Sequence, residues 1–167
     1  MALRIHTVRA EITLPVDRSS AFAFFGAARN LERLTPPDLR FVVTREPDSI
    51  TEGCLIDYRL RLDGIPFGWR TRISLWQLDV AFIDEQLRGP YRQWIHRHDF
   101  EDRPDGRTGI RDRVDLILPF QPIGEIAWPY VRRKVRRIFE FRQRAVAEAF
   151  GARLEDCASS VTIDAPT

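Results

Sequence analysis

Cysteine, lysine and long apolar runs are what this chain has least of. Its two cysteines, Cys54 and Cys157, are too few and too far apart for a disulfide framework or a cysteine zinc cluster. A reduced, cytoplasmic protein is therefore expected. No stretch approaches the roughly 20 consecutive apolar residues of a membrane-spanning helix. The opening Met1-Ala2-Leu3-Arg4-Ile5-His6 lacks the apolar centre of a secretory signal. Integral membrane association is accordingly not expected. The chain also has no glycine-rich phosphate loop, no serine nucleophile elbow and no cysteine nucleophile signature, which disfavours phosphoryl transfer and serine or thiol hydrolysis. Only one of its 26 basic residues is lysine, a bias of the kind a GC-rich genome produces. Against 24 acidic residues these give a formal charge of +2, too balanced to suggest nucleic acid as a partner.

What is present is a change of period. His6, Val8, Ala10, Ile12 and Leu14 alternate with Thr7, Arg9, Glu11 and Thr13, which predicts a first strand at residues 4–14 ended by Pro15. Asp17 can cap a helix through Phe22, Phe24 and Phe25, and Asn30 a second short one stopping at Thr35-Pro36-Pro37. Period two resumes near 40–46, 54–62, 69–77, 81–88, 91–101 and 108–118, between plausible turns. After the breaker run Pro119 to Gly124 the spacing becomes helical. Val131, Val135, Ile138, Phe139, Arg142, Val146 and Ala149 form one stripe, so residues 124–149 are expected to be one long helix. The fold class is therefore α+β: a seven-stranded curved antiparallel sheet wrapped around a long C-terminal helix, with two short helices after the first strand. Residues 1–151 are assigned to one domain and 152–167 to a flexible tail.

Register carried from turn to turn predicts the faces. With residues 63–68 as a loop, Ile56, Tyr58, Leu60 and Leu62 share a dry face with Trp69, Thr71, Ile73 and Leu75. Ile83, Glu85 and Leu87 join them, followed by Arg92, Trp94, His96, His98 and Phe100, then Ile110, Asp112, Val114 and Leu116. Asp57, Arg59, Arg61, Arg70, Arg72, Asp84 and Gln86 fall outside. In this register His96 sits opposite Asp112. A dry face holding Tyr58, Glu85, His96, His98 and Asp112 needs partners, water or a ligand for its polar groups, because an unpaired buried one costs about 1–3 kcal/mol.

Five stretches, "FAFFGAARNLERLTPPDLRF", "GCLIDYRLRLDGIPFGWRTRI", "FIDEQLRGPYRQWIHRHDFE", "RDRVDLILPF" and "VRRKVRRIFEFRQRA", resemble in order and spacing the START/Bet v 1-like (SRPBCC) helix-grip superfamily. Within it the chain is most similar to the bacterial single-domain branch that includes polyketide cyclase/dehydrase-like proteins. The resemblance covers residues 4–150. It implies an elongated cavity between sheet and helix for lipids, polyketides, isoprenoids or other largely apolar molecules. It implies no single reaction, since members include carriers, sensors and cyclases, and it transfers no catalytic set.

The candidate ligand-binding residues are Tyr58, Trp69, Glu85, Trp94, His96, His98, Asp112 and Arg142. The His96-x-His98 pair puts two imidazoles about 7 Å apart on one side of a strand, a spacing some zinc sites use, and Glu85 or Asp112 can add an oxygen. The same pair also fits two histidines satisfying pocket polarity with Asp112 and Tyr58. No third converging ligand is fixed by the sequence, so no metal and no cofactor is assigned. The leading function is binding or transport of a small, largely apolar ligand. A second is a cyclase/dehydratase-type enzyme with His96 as general acid or base and Asp112 orienting it, His96 and Asp112 being candidates rather than an assigned catalytic set. A third is a protein-interaction module using the arginine-rich sheet exterior or helix. The oligomeric state is not readable.

Overall fold

The computed structural model describes residues 3–166. Alternation of apolar and polar residues gives the first strand, β1 (His6–Leu14), whose inward residues are almost wholly buried. Asp17 caps α1 (Arg18–Gly26) by accepting the Ser20 amide hydrogen, and α2 (Asn30–Arg33) follows without a side-chain cap. Six strands come next: β2 (Val42–Arg45), β3 (Leu55–Leu62), β4 (Ile65–Gln77), β5 (Ala81–Arg88), β6 (Gln93–Asp102) and β7 (Thr108–Ile117). The breaker run is followed by a 3₁₀ turn at Ile123–Ala127 that leads into α3 (Trp128–Ala149). The long helix thus starts four residues later than its sequence pattern suggests. Gly124 makes the tight entry possible, because a Cβ there would collide with the Pro119 carbonyl oxygen.

The sheet is antiparallel in the order β2-β3-β4-β5-β6-β7-β1-β8, with eight strands rather than seven. The eighth, β8 (Ser159–Ile163), lies in the segment expected to be a flexible tail. It pairs with β1 from Val8↔Ile163 to Ile12↔Ser159 and covers an edge that would otherwise present unpaired amides. Gln143 of α3 fastens it, donating to the Glu11 and Ser160 carbonyls at 2.8 Å each.

Two details of register decide what faces the helix. The β3–β4 connection is a two-residue Asp63-Gly64 turn, both residues at positive φ, instead of a longer loop. Tyr58 therefore pairs with Trp69 and Ile56 with Thr71, and the face assignment survives because the loop is shortened by an even number of residues. Further along, β4 bulges between Ile73 and Leu75, so that Ile73 pairs with Asp84 and Trp76 with Phe82. The bulge inverts β5 relative to expectation. Phe82, Asp84 and Gln86 turn to the helix side, while Glu85 and Leu87 turn outward with Leu75. The β5–β6 connection restores parity, pairing Asp84 with His96, and so Trp94, His96, His98 and Phe100 face inward after all. Arg92, before the strand, is exposed.

Inside, α3 packs closely on β1 and β8 through Val135, Phe139, Val146 and Ala147. An aromatic cluster of Phe22, Phe25, Phe82 and Phe100 fills the end nearest α1. Over β3 and β4 the helix stands further from the sheet, and the site lies in that gap.

Candidate site between the sheet and the long helix

The gap holds a cavity of about 160 Å³, partly open to solvent. Leu60, Leu62, Phe67 and Trp69 from the β3–β4 hairpin form one wall, Tyr130, Val131 and Ile138 from α3 another, and Tyr91 and Trp94 a third. The aromatic side chains hold each other in place: Trp69 meets Trp94 edge-on at 5.5 Å and Tyr91 at 5.8 Å. At the inner end the lining changes to Tyr58, Thr71, Asp84, His96 and Arg142, and a smaller void of about 30 Å³ continues past them to His98. A wider groove of about 690 Å³ runs between α1 and the β4–β5 turn. It is more open to solvent and lacks the buried histidines, so the cavity under α3 is the candidate site.

Six of the eight expected residues border these voids: Tyr58, Trp69, Trp94, His96 and Arg142 on the cavity, and His98 on its continuation. Asp112 lies behind the imidazoles, 7 % exposed. Glu85 does not belong to the group. It points outward and accepts a hydrogen bond from Arg72 at 2.9 Å. Its place is taken by Asp84, which the sequence pattern puts on the outer face. The sign of this is present in the sequence, since the unbulged register expels two large aromatics, Trp76 and Phe82, into water.

The imidazoles of His96 and His98 lie against each other, centroids 3.8 Å apart and planes tilted by 38°, between the two carboxylates. On one side His98 Nε2 donates to Asp84 Oδ2 at 2.9 Å, with His96 Nδ1 at 3.5 Å from the same oxygen. On the other, Asp112 Oδ1 lies 2.6 Å from His98 Nδ1 and 3.3 Å from His96 Nε2. His98, not His96, is the cross-strand partner of Asp112, and His96 pairs with Val114. The expected His96–Asp112 approach nevertheless exists, because both rings lean toward the same carboxylate. None of the three atoms on the Asp112 side has an aligned hydrogen bond.

Burial and charge act against each other here. Burial alone raises the pKa of Asp112, but the charge of His98 and the close approach of both imidazoles outweigh it and hold the carboxyl far below its usual range. Asp84 follows the same pattern: burial raises it, and the two histidines with the Arg142 charge bring it below its ordinary value. Burial lowers both histidines. For His98 the two carboxylates reverse this and its pKa rises, whereas for His96 burial and the neighbouring His98 charge prevail and its pKa falls. Of the two imidazoles, His98 thus holds a proton more readily than His96. Burial also raises the Tyr58 phenol, which stays protonated. Arg142 extends over the Phe139 ring at 5.3 Å, and its Nε is buried without a hydrogen-bond partner.

Among the described residues, Asp84, His96 and His98 form a group whose donor atoms all lie within 4.8 Å of one another. No helix among those residues is long and apolar enough to cross a membrane. On the outer sheet face, Arg70 is neutralised in place by a double hydrogen bond to Asp57, and Arg72 by Glu85.

No family model matches the sequence, and no curated protein matches it. Solved structures do. A START superfamily protein from Mycobacterium smegmatis superimposes with a TM-score of 0.66 at 10 % identity, covering 87 % of this chain and 97 % of its own. A protein from Thermus thermophilus gives 0.65 at 16 % identity, covering 86 % and 96 %. A major latex-like protein from Panax ginseng gives 0.63 at 9 % identity, covering 89 % and 99 %. The chain therefore has the START/Bet v 1-like helix-grip fold.

Proposed function

We propose that this protein binds a small, largely apolar molecule between the sheet and α3, with one oxygenated group directed at Asp84, His96 and Arg142. The observation that carries the reading is the division of one cavity into an aromatic and aliphatic mouth and a polar inner end, as orienting pockets are built. Asp84 offers an acceptor and Arg142 Nε an unmatched donor, and a hydroxyl can serve both. At about 160 Å³ the space is close to that of cavities that accept a single benzene-sized ring, and below the roughly 300–1,000 Å³ of drug-sized pockets. The ligand class that fits without moving α3 is thus a ring or short chain bearing an alcohol or phenol. Longer lipid- or polyketide-like molecules, which the family resemblance implies, need the helix to move away from β3 and β4. Native mass spectrometry of freshly purified protein, with organic extraction of anything retained, tests this. A single small, mostly apolar adduct per chain is expected, and a strongly polar or polyanionic adduct overturns the proposal.

A second reading, acid–base catalysis, is favoured by one observation: the cavity-facing His96 lies 3.3 Å from the Asp112 carboxyl. Under it, His96→Ala and Asp112→Asn each cut turnover about 10²-fold or more while leaving ligand affinity largely intact. Under the binding reading, the same changes weaken ligand affinity instead.

A further inference from the structure

We propose that Asp84, His96 and His98 form a site for a divalent transition-metal ion that faces the cavity, with Asp112 behind it as the shared hydrogen-bond partner of both imidazoles. The first support is the convergence of donors. A four-coordinate zinc-type ion sits about 2.0–2.2 Å from nitrogen and oxygen ligands, which places those ligands about 3.3 Å apart. Asp84 Oδ2 lies 2.9 Å from His98 Nε2 and 3.5 Å from His96 Nδ1. The two rings present opposite nitrogens to Asp84, so the cluster arises from the close, tilted packing of residues two apart on β6.

Independent support comes from the far side of the rings. Histidines that ligate metals almost always donate their other ring N–H to a carboxylate or carbonyl, which fixes tautomer and orientation. Asp112 Oδ1 lies close to both remaining nitrogens, His98 Nδ1 and His96 Nε2, each on a side chain 4 % exposed, and neither contact is aligned as a hydrogen bond. Asp112 is thus placed to take the remaining ring N–H of each imidazole once an ion orients the two rings. Two imidazole nitrogens and one carboxylate suit zinc, iron(II), cobalt(II) or nickel(II) rather than magnesium or calcium, which take oxygen shells. Because Asp84 and His96 border the cavity, three protein ligands leave a coordination position open toward it. An oxygen of the bound molecule, or water, completes the shell there.

The test is metal alone, with no organic ligand, so its outcome is separable from the apolar-ligand proposal above. The full chain, stripped with chelator, is titrated with Co²⁺ and Zn²⁺, following the visible absorption of cobalt and the heat of zinc binding. Expected are one equivalent per chain, displacement of cobalt by zinc, and no binding of Mg²⁺ at the same concentrations. His98→Ala and Asp84→Asn should each lower affinity at least about 100-fold, while Asp112→Asn, which removes only the shared partner, should lower it about 10- to 100-fold. Circular dichroism establishes that each variant is folded, and Glu85→Gln, next in the chain but outside the cavity, should bind as the wild type does. Absence of saturable binding to the wild-type chain, or wild-type affinity in folded His98→Ala and Asp84→Asn, overturns the proposal.

Discussion

Two places in this molecule bury histidine against carboxylate, and they are built to different ends. Beside the start of α3, His6 is fully buried. Its Nε2 meets Glu125 Oε2 at 2.9 Å, and its ring stacks on Trp128 at 3.6 Å. One ring, one carboxylate and one aromatic face hold each other, with His6 Nδ1 the one ring atom left without a hydrogen-bond partner, and the result ties β1 to the entry of the long helix. In the middle of the sheet, His96 and His98 share two carboxylates, leave three polar atoms without aligned partners, and border open volume. Burial of a histidine beside an acid is thus a fastening when one ring meets one acid in a packed setting. It marks a site when rings and acids are in surplus next to free space.

The comparison breaks first, and most severely, at the cavity wall. Trp94→Asp puts a charge where the mouth is apolar, and uptake of a ring-sized apolar probe, followed by fluorescence titration, should fall at least about 100-fold. His6→Ala should act in the opposite way. Losing a stacked, fully buried ring and the hydrogen bond it gives Glu125 Oε2 should cost about 2–4 kcal/mol in denaturant unfolding, with probe uptake within about twofold of wild type. If His6→Ala abolishes uptake as Trp94→Asp does, the two histidine environments are not functionally distinct. Gln143→Ala, which cuts two hydrogen bonds between α3 and the β1–β8 edge, should cost about 1–3 kcal/mol without affecting uptake. Smallest is Glu85→Gln. It removes an ion pair with Arg72 on the outer face, is expected to cost under about 1 kcal/mol, and should leave the cavity unaltered.

The contrast between Glu85 and Asp84 also shows what is legible in the sequence. Strict alternation in β6 and β7 puts Trp94, His96, His98 and Asp112 on the inner face, and the shift to helical spacing locates α3 to within about a turn. The bulge in β4 carries no glycine or proline to announce it. A one-residue offset there exchanges Asp84 for Glu85, and only the fate of Trp76 and Phe82 betrays it. A second change of parity at the β5–β6 connection cancels the first, which is why the reading of β6 holds. The strand β8 is hidden because five residues after a helix stop, three of them Ser or Thr, read as tail. Its pairing depends on an edge of β1 at the opposite end of the chain, and on Gln143, whose inward amide interrupts an apolar stripe.

The most direct test of a cavity with an apolar mouth and a polar inner end is a titration of the full chain with benzene and with phenol, read by the fluorescence of Trp69 and Trp94. The expected result is saturable one-to-one binding of both, with phenol bound more tightly in the wild type and that preference lost in Asp84→Asn. Failure of either ring to bind saturably, or an undiminished phenol preference in Asp84→Asn, would contradict it.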